Sequence, residues 1–189
     1  MEAFDIKKLR WERLKTKTFD GVKINSVVAQ HDFTGLTPAI GADPGRNWGI
    51  SFVIPVTLRS RLRVYNLFAY WGTMPQMKKT QDYMYTIRDF VKKWIPENHP
   101  AKVCMIEGSS YERYGREGLE QMRLGFYEGF RELGFDVSYV PPNTPRKAVF
   151  GNGRIKAKEV WLELKGDAAA SAAIALYASG YTYNKESNG

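Results

Sequence analysis

The chain is short of sulfur and imidazole ligands: it has one cysteine, Cys104, and two histidines, His31 and His99. A single cysteine excludes an intramolecular disulfide, and its neighbours in KVCMIEG place it in a buried strand as a small hydrophobe. Two histidines in loop-like surroundings give no zinc pattern. No apolar run approaches the ~18 residues a membrane-spanning helix needs. The N-terminus MEAFDIKKLRWERLKTK lacks the apolar core of a secretory signal, and its acids argue against a transit peptide. A soluble intracellular protein is expected, in cytoplasm or nucleoid, with a viral or organellar origin left open. Acidic residues are also in deficit, 20 against 28 Lys plus Arg, a net charge of +8. That imbalance favours an anionic partner and does not by itself say which.

What is present fits one domain. The 189 residues are ordinary in hydrophobic and charged content, which excludes disorder as the main state. Residues 1–37 read as an N-terminal appendage with an Asp-Gly turn at Asp20-Gly21, followed by a core domain over 38–180 and a flexible tail over 181–189. AIGADPGRNWGISFVIPVTL predicts a strand, a sharp turn and a second strand. In TLRSRLRVYNLFAYWG, alternation sets Arg59, Arg61 and Arg63 on one face and Leu58, Leu62 and Val64 on the other, a third strand. Tyr83, Ile87, Val91 and Trp94 or Ile95 fall at helical spacing before a proline. AKVCMIEG is a short central strand. Leu119, Met122, Phe126, Phe130 and Leu133 mark a helix over roughly 114–133, interrupted by Gly118, Gly125 and Gly129 at about 1 kcal/mol each, which suits close approach to another helix or a second subunit. FDVSYVPP ends the strands. Short helices and a last helix, KGDAAASAAIALYASG, complete an α/β domain with helices over a central mixed sheet.

Three acids stand at informative places. Asp43 closes the first core strand, Glu107 closes the central strand, and Asp167 opens the last helix. Sheets of this type gather ligands outside strand termini, so distant acids can meet there. Carboxylate oxygens suit Mg2+ or Mn2+. Each acid also has a plainer reading: Asp43 shapes the Pro-Gly turn, and Asp167 caps its helix. Glu107 is harder to dismiss, because a buried unpaired carboxylate is costly. On a basic protein, clustered carboxylates suit phosphodiester hydrolysis with two ions about 3.5–4 Å apart. Beside them, TPRKAVFGNGRIKAKEVW sets Arg146, Lys147, Arg154, Lys156 and Lys158 around Gly151 and Gly153, a pattern able to grip a sugar-phosphate backbone; a helix start near Ile155 adds N–H donors. The same run is readable as a solvated face. Trp48, Trp71 and Tyr111, near strand ends, are readable as base-stacking residues or as ordinary packing.

Taken together, IGADPGRNWGI, VCMIEG, PPNTPRKAVFGNGRIKAKEVW and GDAAASAAIALYA resemble, in order and spacing, the four signature stretches of the RuvC-type Holliday junction resolvases of the ribonuclease H-like superfamily. The resemblance covers roughly residues 38–180. It implies a five-stranded mixed sheet with its second strand antiparallel, flanked by helices. It also implies a homodimer that binds four-way DNA junctions and cuts two opposed strands with Mg2+ or Mn2+; the implied partner is branched DNA and the implied setting DNA recombination and repair. Asp43, Glu107 and Asp167 match metal-binding and catalytic acids. Lys147, with Lys156 or Lys158, matches basic positions that contact DNA or support cleavage, and EGSSYERYGREGLEQMRLGF resembles the segment leading into the dimer-forming helix.

Ala170 departs from the pattern. The family places a second acid one turn after Asp167, where both would share a helix face. Three readings stay open: a divergent resolvase that completes its ligands with water or another acid, a binding-only relative, or an Asp→Ala change that traps uncut DNA. The third is favoured, since the rest of the site is intact. Alternatives in substrate are flaps or other branched DNA cut by the same fold, and a non-catalytic junction-binding protein. An actin-like or sugar-kinase-like ATPase shares the acidic-glycine turn but needs paired domains for which the chain is too short.

Overall fold

The computed structural model of the chain describes residues 6–19, 21–31, 35–57, 63–95, 100–108 and 117–183. Leu58, Arg59, Arg61, Leu62, His99, Tyr111 and residues 184–189 lie outside them. The strands are β1 (Glu12–Arg13), β2 (Lys17–Phe19), β3 (Val22–His31), β4 (Ala39–Asp43), β5 (Asn47–Thr57), β6 (Arg63–Thr73), β7 (Val103–Glu107) and β8 (Asp136–Val140). The helices are α1 (Thr80–Trp94), α2 (Glu117–Glu132), α3 (Asn143–Phe150), α4 (Ala157–Val160) and α5 (Gly166–Ala178).

The sheet runs β1-β3-β6-β5-β4-β7-β8, with β2 also paired to β3. Its centre is the expected five-stranded unit: β4, β7 and β8 are parallel neighbours, while β5 lies antiparallel between β4 and β6. β4 and β7 are apolar because helices cover both faces. Ile40, Ala42, Cys104 and Ile106 are all buried. Burial pushes the Cys104 thiol well above its ordinary range, as befits a packing residue.

The N-terminal segment continues this sheet. β3 pairs antiparallel with β6, and β1 and β2 pair with β3. Ile6 and Leu9 join the core on one face, where Trp161 Nε1 donates to the Ile6 carbonyl at 3.0 Å. Phe19 and Ile24 join the other, where Phe19 meets Phe90 edge to face at 5.8 Å. The described part of the expected tail, residues 181–183, is held as well: Tyr181 N donates to the Leu176 carbonyl and Tyr183 N to the Ala148 carbonyl.

Two helical layers sandwich the sheet. On one side α1 and α2 pack together, and the glycines of α2 explain how. A Cβ on Gly125 would strike Tyr83 of α1, and one on Gly129 would meet the Met84 carbonyl at 3.0 Å. The close approach is therefore to a helix of the same chain.

On the other side lies α5, and its alanines have the same cause. Ala168, Ala169, Ala172, Ala173 and Ala175 are buried against the sheet. Gly41 of β4 leaves room for the helix backbone at Ser171 and Ala175, and Ser51 of β5 shares a 2.7 Å hydrogen bond with Ser171. Small residues on both surfaces bring the helix axis close to the strands, which fixes where its first turn sits.

Candidate active site at the carboxyl edge of the sheet

Strand register brings the three acids together. Ala42 of β4 pairs with Ile106 of β7 in parallel, so the next residues, Asp43 and Glu107, leave the sheet side by side. Asp43 pairs across the antiparallel ladder with Gly49 of β5. Gly49 lies directly beneath α5, since a Cβ there would collide with the Asp167 carbonyl. Residues far apart in sequence thus share one corner.

Their electrostatics record this proximity. Burial lifts the Asp43 carboxyl well above its ordinary 3.8, and the charges of Glu107 and Asp167 lift it further, against a downward pull from Arg123 and Arg146. Burial also raises Glu107, with Asp167 adding to the rise while Arg146 and Arg123 oppose it. Asp167 is raised by burial and held back by its own backbone N–H and by Lys158 and Lys165.

The plainer readings fare unevenly. Asp167 does not cap α5: the cap position is Lys165, and Asp167 lies inside the first turn with no side-chain capping bond at the helix start. Among the described residues, neither the Asp43 nor the Glu107 carboxylate has a side-chain hydrogen bond or ion pair. Ala170 is half-exposed one turn beyond Asp167, while Ala168 and Ala169 between them are buried. The face that carries Asp167 therefore continues through Ala170.

A divalent cation fits this donor set in kind. Three hard oxygen donors repel one another in a poorly solvated corner, and a cation would relieve that repulsion. As they stand, among the described residues, no three such side chains are drawn tightly enough to enclose an ion.

The basic residues divide into two groups. Arg146 of α3 acts on Asp43 and Glu107, and Lys158 of α4 acts on Asp167. Lys147, Arg154 and Lys156 are exposed farther out. The glycines among them serve the chain itself. Gly151 ends α3 at φ 74° with the Tyr183 ring against it, and Gly153 sits against the Asn143 carbonyl. The expected helix start near Ile155 is only the single turn α4.

Trp48 is buried and meets Phe90 at 4.9 Å, and Trp71 is half-buried against the α5 side. Both are packing residues, and Tyr111 lies outside the described residues.

Sequence reasoning missed Arg123. It projects from α2 with its Nη1 2.7 Å from Glu120 Oε1, and its Nε is buried without a partner among the described residues. One signal was present: after Leu119, the apolar arc of α2 calls for side chains at Met122, Arg123 and Phe126, and a cation there has a reason to point inward.

The sheet order, the antiparallel second strand and the flanking helices define a ribonuclease H-like fold of the RuvC-like form. Two solved structures show the likeness. The Thermus thermophilus RuvC structure is 16% identical with a TM-score of 0.54, covering 74% of this chain and 92% of that one. T. thermophilus RuvC in complex with a Holliday junction substrate is 20% identical with a TM-score of 0.54, covering 74% of this chain and 90% of that one. No protein-family model matches the chain, and no curated protein matches it. Among the described residues no helix is long and apolar enough to cross a membrane.

Proposed function

We propose that the chain is a structure-selective DNA endonuclease that resolves four-way junctions by metal-dependent phosphodiester hydrolysis, working as a homodimer. The observation that carries this reading is the convergence of Asp43, Glu107 and Asp167 at one sheet corner flanked by Arg123, Arg146 and Lys158. Asp43, Glu107 and Asp167 would hold Mg2+ or Mn2+, which when bound supplies Lewis acidity toward water and phosphate. Arg146 and Lys158 offset the negative charge that the carboxylates and a phosphate bring to the same corner. Lys147, Arg154 and Lys156 extend the positive surface away from it, where they orient the sugar-phosphate backbone. Two symmetric cuts need two such corners, hence a dimer.

Ala170 leaves the acid set one short, so the chain as it stands binds junctions and cuts them slowly. The test compares it with Ala170→Asp on a four-way junction in Mg2+ and in Mn2+, read on a sequencing gel. Symmetric cleavage by Ala170→Asp supports the reading, and equal inactivity of both removes it. An alanine at position 170, where the resemblance would place a second acid, favours a second reading, a junction-binding protein without catalysis. Calorimetric titration with Mn2+ separates the two, because that reading requires no binding at millimolar metal with or without DNA.

A further inference from the structure

The seam where the N-terminal strands meet α1 does not close completely. A cavity of about 90 Å3 remains there. Phe19 of β2 and Val22 of β3 form one wall, Thr86 and Phe90 of α1 the other, and Met74 and Met77, from the link between β6 and α1, complete the lining. Apart from Thr73 and Thr86 the lining is apolar, and the Thr86 hydroxyl already donates to the Asp82 carbonyl at 2.9 Å. Its walls belong to the core layer between the sheet and α1, not to the layer under α5, whose first turn carries Asp167. The cavity is therefore separate from the carboxylate corner.

Two ammonium groups stand at the same seam. Lys17 of β2 lies over the Trp94 ring, 4.5 Å from its centroid, and Lys93 of α1 lies over the Phe19 ring at 5.3 Å, so each element sets a cation on the other's aromatic. Lys17 and Phe19 share one face of β2, since side chains two apart on a strand point the same way. Both lysines are exposed, and among the described residues neither has an acidic partner. Lys93, in the last turn of α1, also suits the helix dipole. That role needs neither an open cavity beside it nor a second cation from β2. An occupant must satisfy apolar walls and two cations together. The cavity is smaller than the roughly 150 Å3 that accommodates a benzene ring, so it takes one aliphatic side chain and neither an aromatic one nor a nucleobase. Nucleic acid supplies charge without an aliphatic side chain, whereas an acidic peptide carrying one leucine-like residue supplies both.

We propose that this seam is a docking site for an acidic peptide segment of a partner protein, with one aliphatic side chain seated in the cavity and flanking carboxylates against Lys17 and Lys93. The site is independent of the nuclease reading. It gives residues 17–24 a task beyond extending the sheet, because the cavity exists only where they meet α1.

The probe is a fluorescein-labelled peptide with one leucine flanked on both sides by Asp and Glu, titrated with the full chain and read by fluorescence anisotropy. Replacing its leucine by alanine should weaken binding about tenfold, the order expected when one buried aliphatic side chain is withdrawn. Lys17→Gln and Lys93→Gln should each weaken it about two- to fivefold, as for exposed ion pairs, and added salt should weaken it too. Lys8→Gln, beside Leu9 on the α5 side, should leave it unchanged. Thr86→Phe fills the cavity from α1 and should erase the difference between the leucine and alanine peptides. Should that variant melt early, the comparison of the two peptides on the unsubstituted chain decides the point alone. No binding of the leucine peptide at about 1 mM, equal affinity for both peptides, or affinity unchanged in both Lys17→Gln and Lys93→Gln overturns the proposal. A paired DNA duplex that displaces the peptide assigns the seam to nucleic acid and overturns it as well. No cleavage is read, so inactivity of Ala170→Asp is a separate result.

Discussion

Gly49 lies so close under Asp167 that a single added methyl group would collide with the Asp167 carbonyl. The same glycine pairs with Asp43 across the β4–β5 ladder. One residue without a side chain therefore sets the distance between two acids on different elements. Gly49→Ala must lift the first turn of α5 or shift β5, and overpacking of this kind costs about 1–3 kcal/mol. Urea unfolding should show a loss of that size, and calorimetry should show weaker Mn2+ binding. Unchanged stability would mean that the start of α5 is not seated on β5.

The three raised carboxyls make a pH prediction with a definite sign. A folded carboxyl that holds its proton more tightly than the unfolded one favours the native state at low pH, and that contribution is lost as pH rises through the folded value. For Asp43 and Asp167 it is complete below the ordinary 3.8, for Glu107 below 4.5, and it declines above. Near neutrality the charged corner destabilises the fold. Asp43→Asn should therefore raise the thermal midpoint at pH 7 by a few degrees, of the order of 0.5–2 kcal/mol. The gain should shrink toward pH 4. Mn2+ should raise the midpoint of the unsubstituted chain more than that of Asp43→Asn, because only a bound ligand shifts the equilibrium. Differential scanning calorimetry across pH, with and without Mn2+, checks both.

The elements that were legible are those with one simple environment. β4 and β7 are covered on both faces, so their continuous apolar runs and terminal acids are plain in IGAD and VCMIE. β3 was not legible as a sheet strand because it serves several partners: Lys17–Phe19 pair with its first residues, Glu12 and Arg13 with Val28 and Val27, and β6 with Asn25–His31. Its burial follows that change of neighbours and breaks the two-residue period. Of the site, the three acids could be read because each ends or begins an element. Arg123 could not be placed, since its interest lies in which neighbours α2 meets. The glycines around the basic turn invited a phosphate reading that Tyr183 and Asn143 now explain by packing.

Arg123 should tune the candidate metal site. It draws the carboxyls of both Asp43 and Glu107 downward. Arg123→Met keeps an apolar stem in place and removes the charge. Protons should then compete better for the two carboxylates, so the pH at which half of Mn2+ binding is lost should move upward. Arg123→Lys should leave it nearly in place. Mn2+ titrations between pH 5 and 8 for the three proteins decide the point, and identical profiles for Arg123→Met and the unsubstituted chain would show that the guanidinium does not act on the carboxylates.

Salt dependence should separate the two groups of cations. Lys147, Arg154 and Lys156 are exposed, and among the described residues none is paired with an acid. Replacing any one by Ala should change folding stability by no more than about 0.5 kcal/mol. If each meets a phosphate, each replacement lowers the slope of log affinity against log salt by about 1, since one fewer counterion is released from duplex DNA. Lys158 differs, because its charge also holds down the Asp167 carboxyl. Lys158→Ala should lower the slope and in addition move the acid limb of Mn2+ binding upward, an effect the outer three lack. Binding isotherms over 50–200 mM salt, paired with Mn2+ titrations, measure both quantities on the same proteins. Slopes unchanged in Lys147→Ala, Arg154→Ala and Lys156→Ala would mean that the outer cations form a solvated face, leaving Arg146 and Lys158 as the charges that meet DNA.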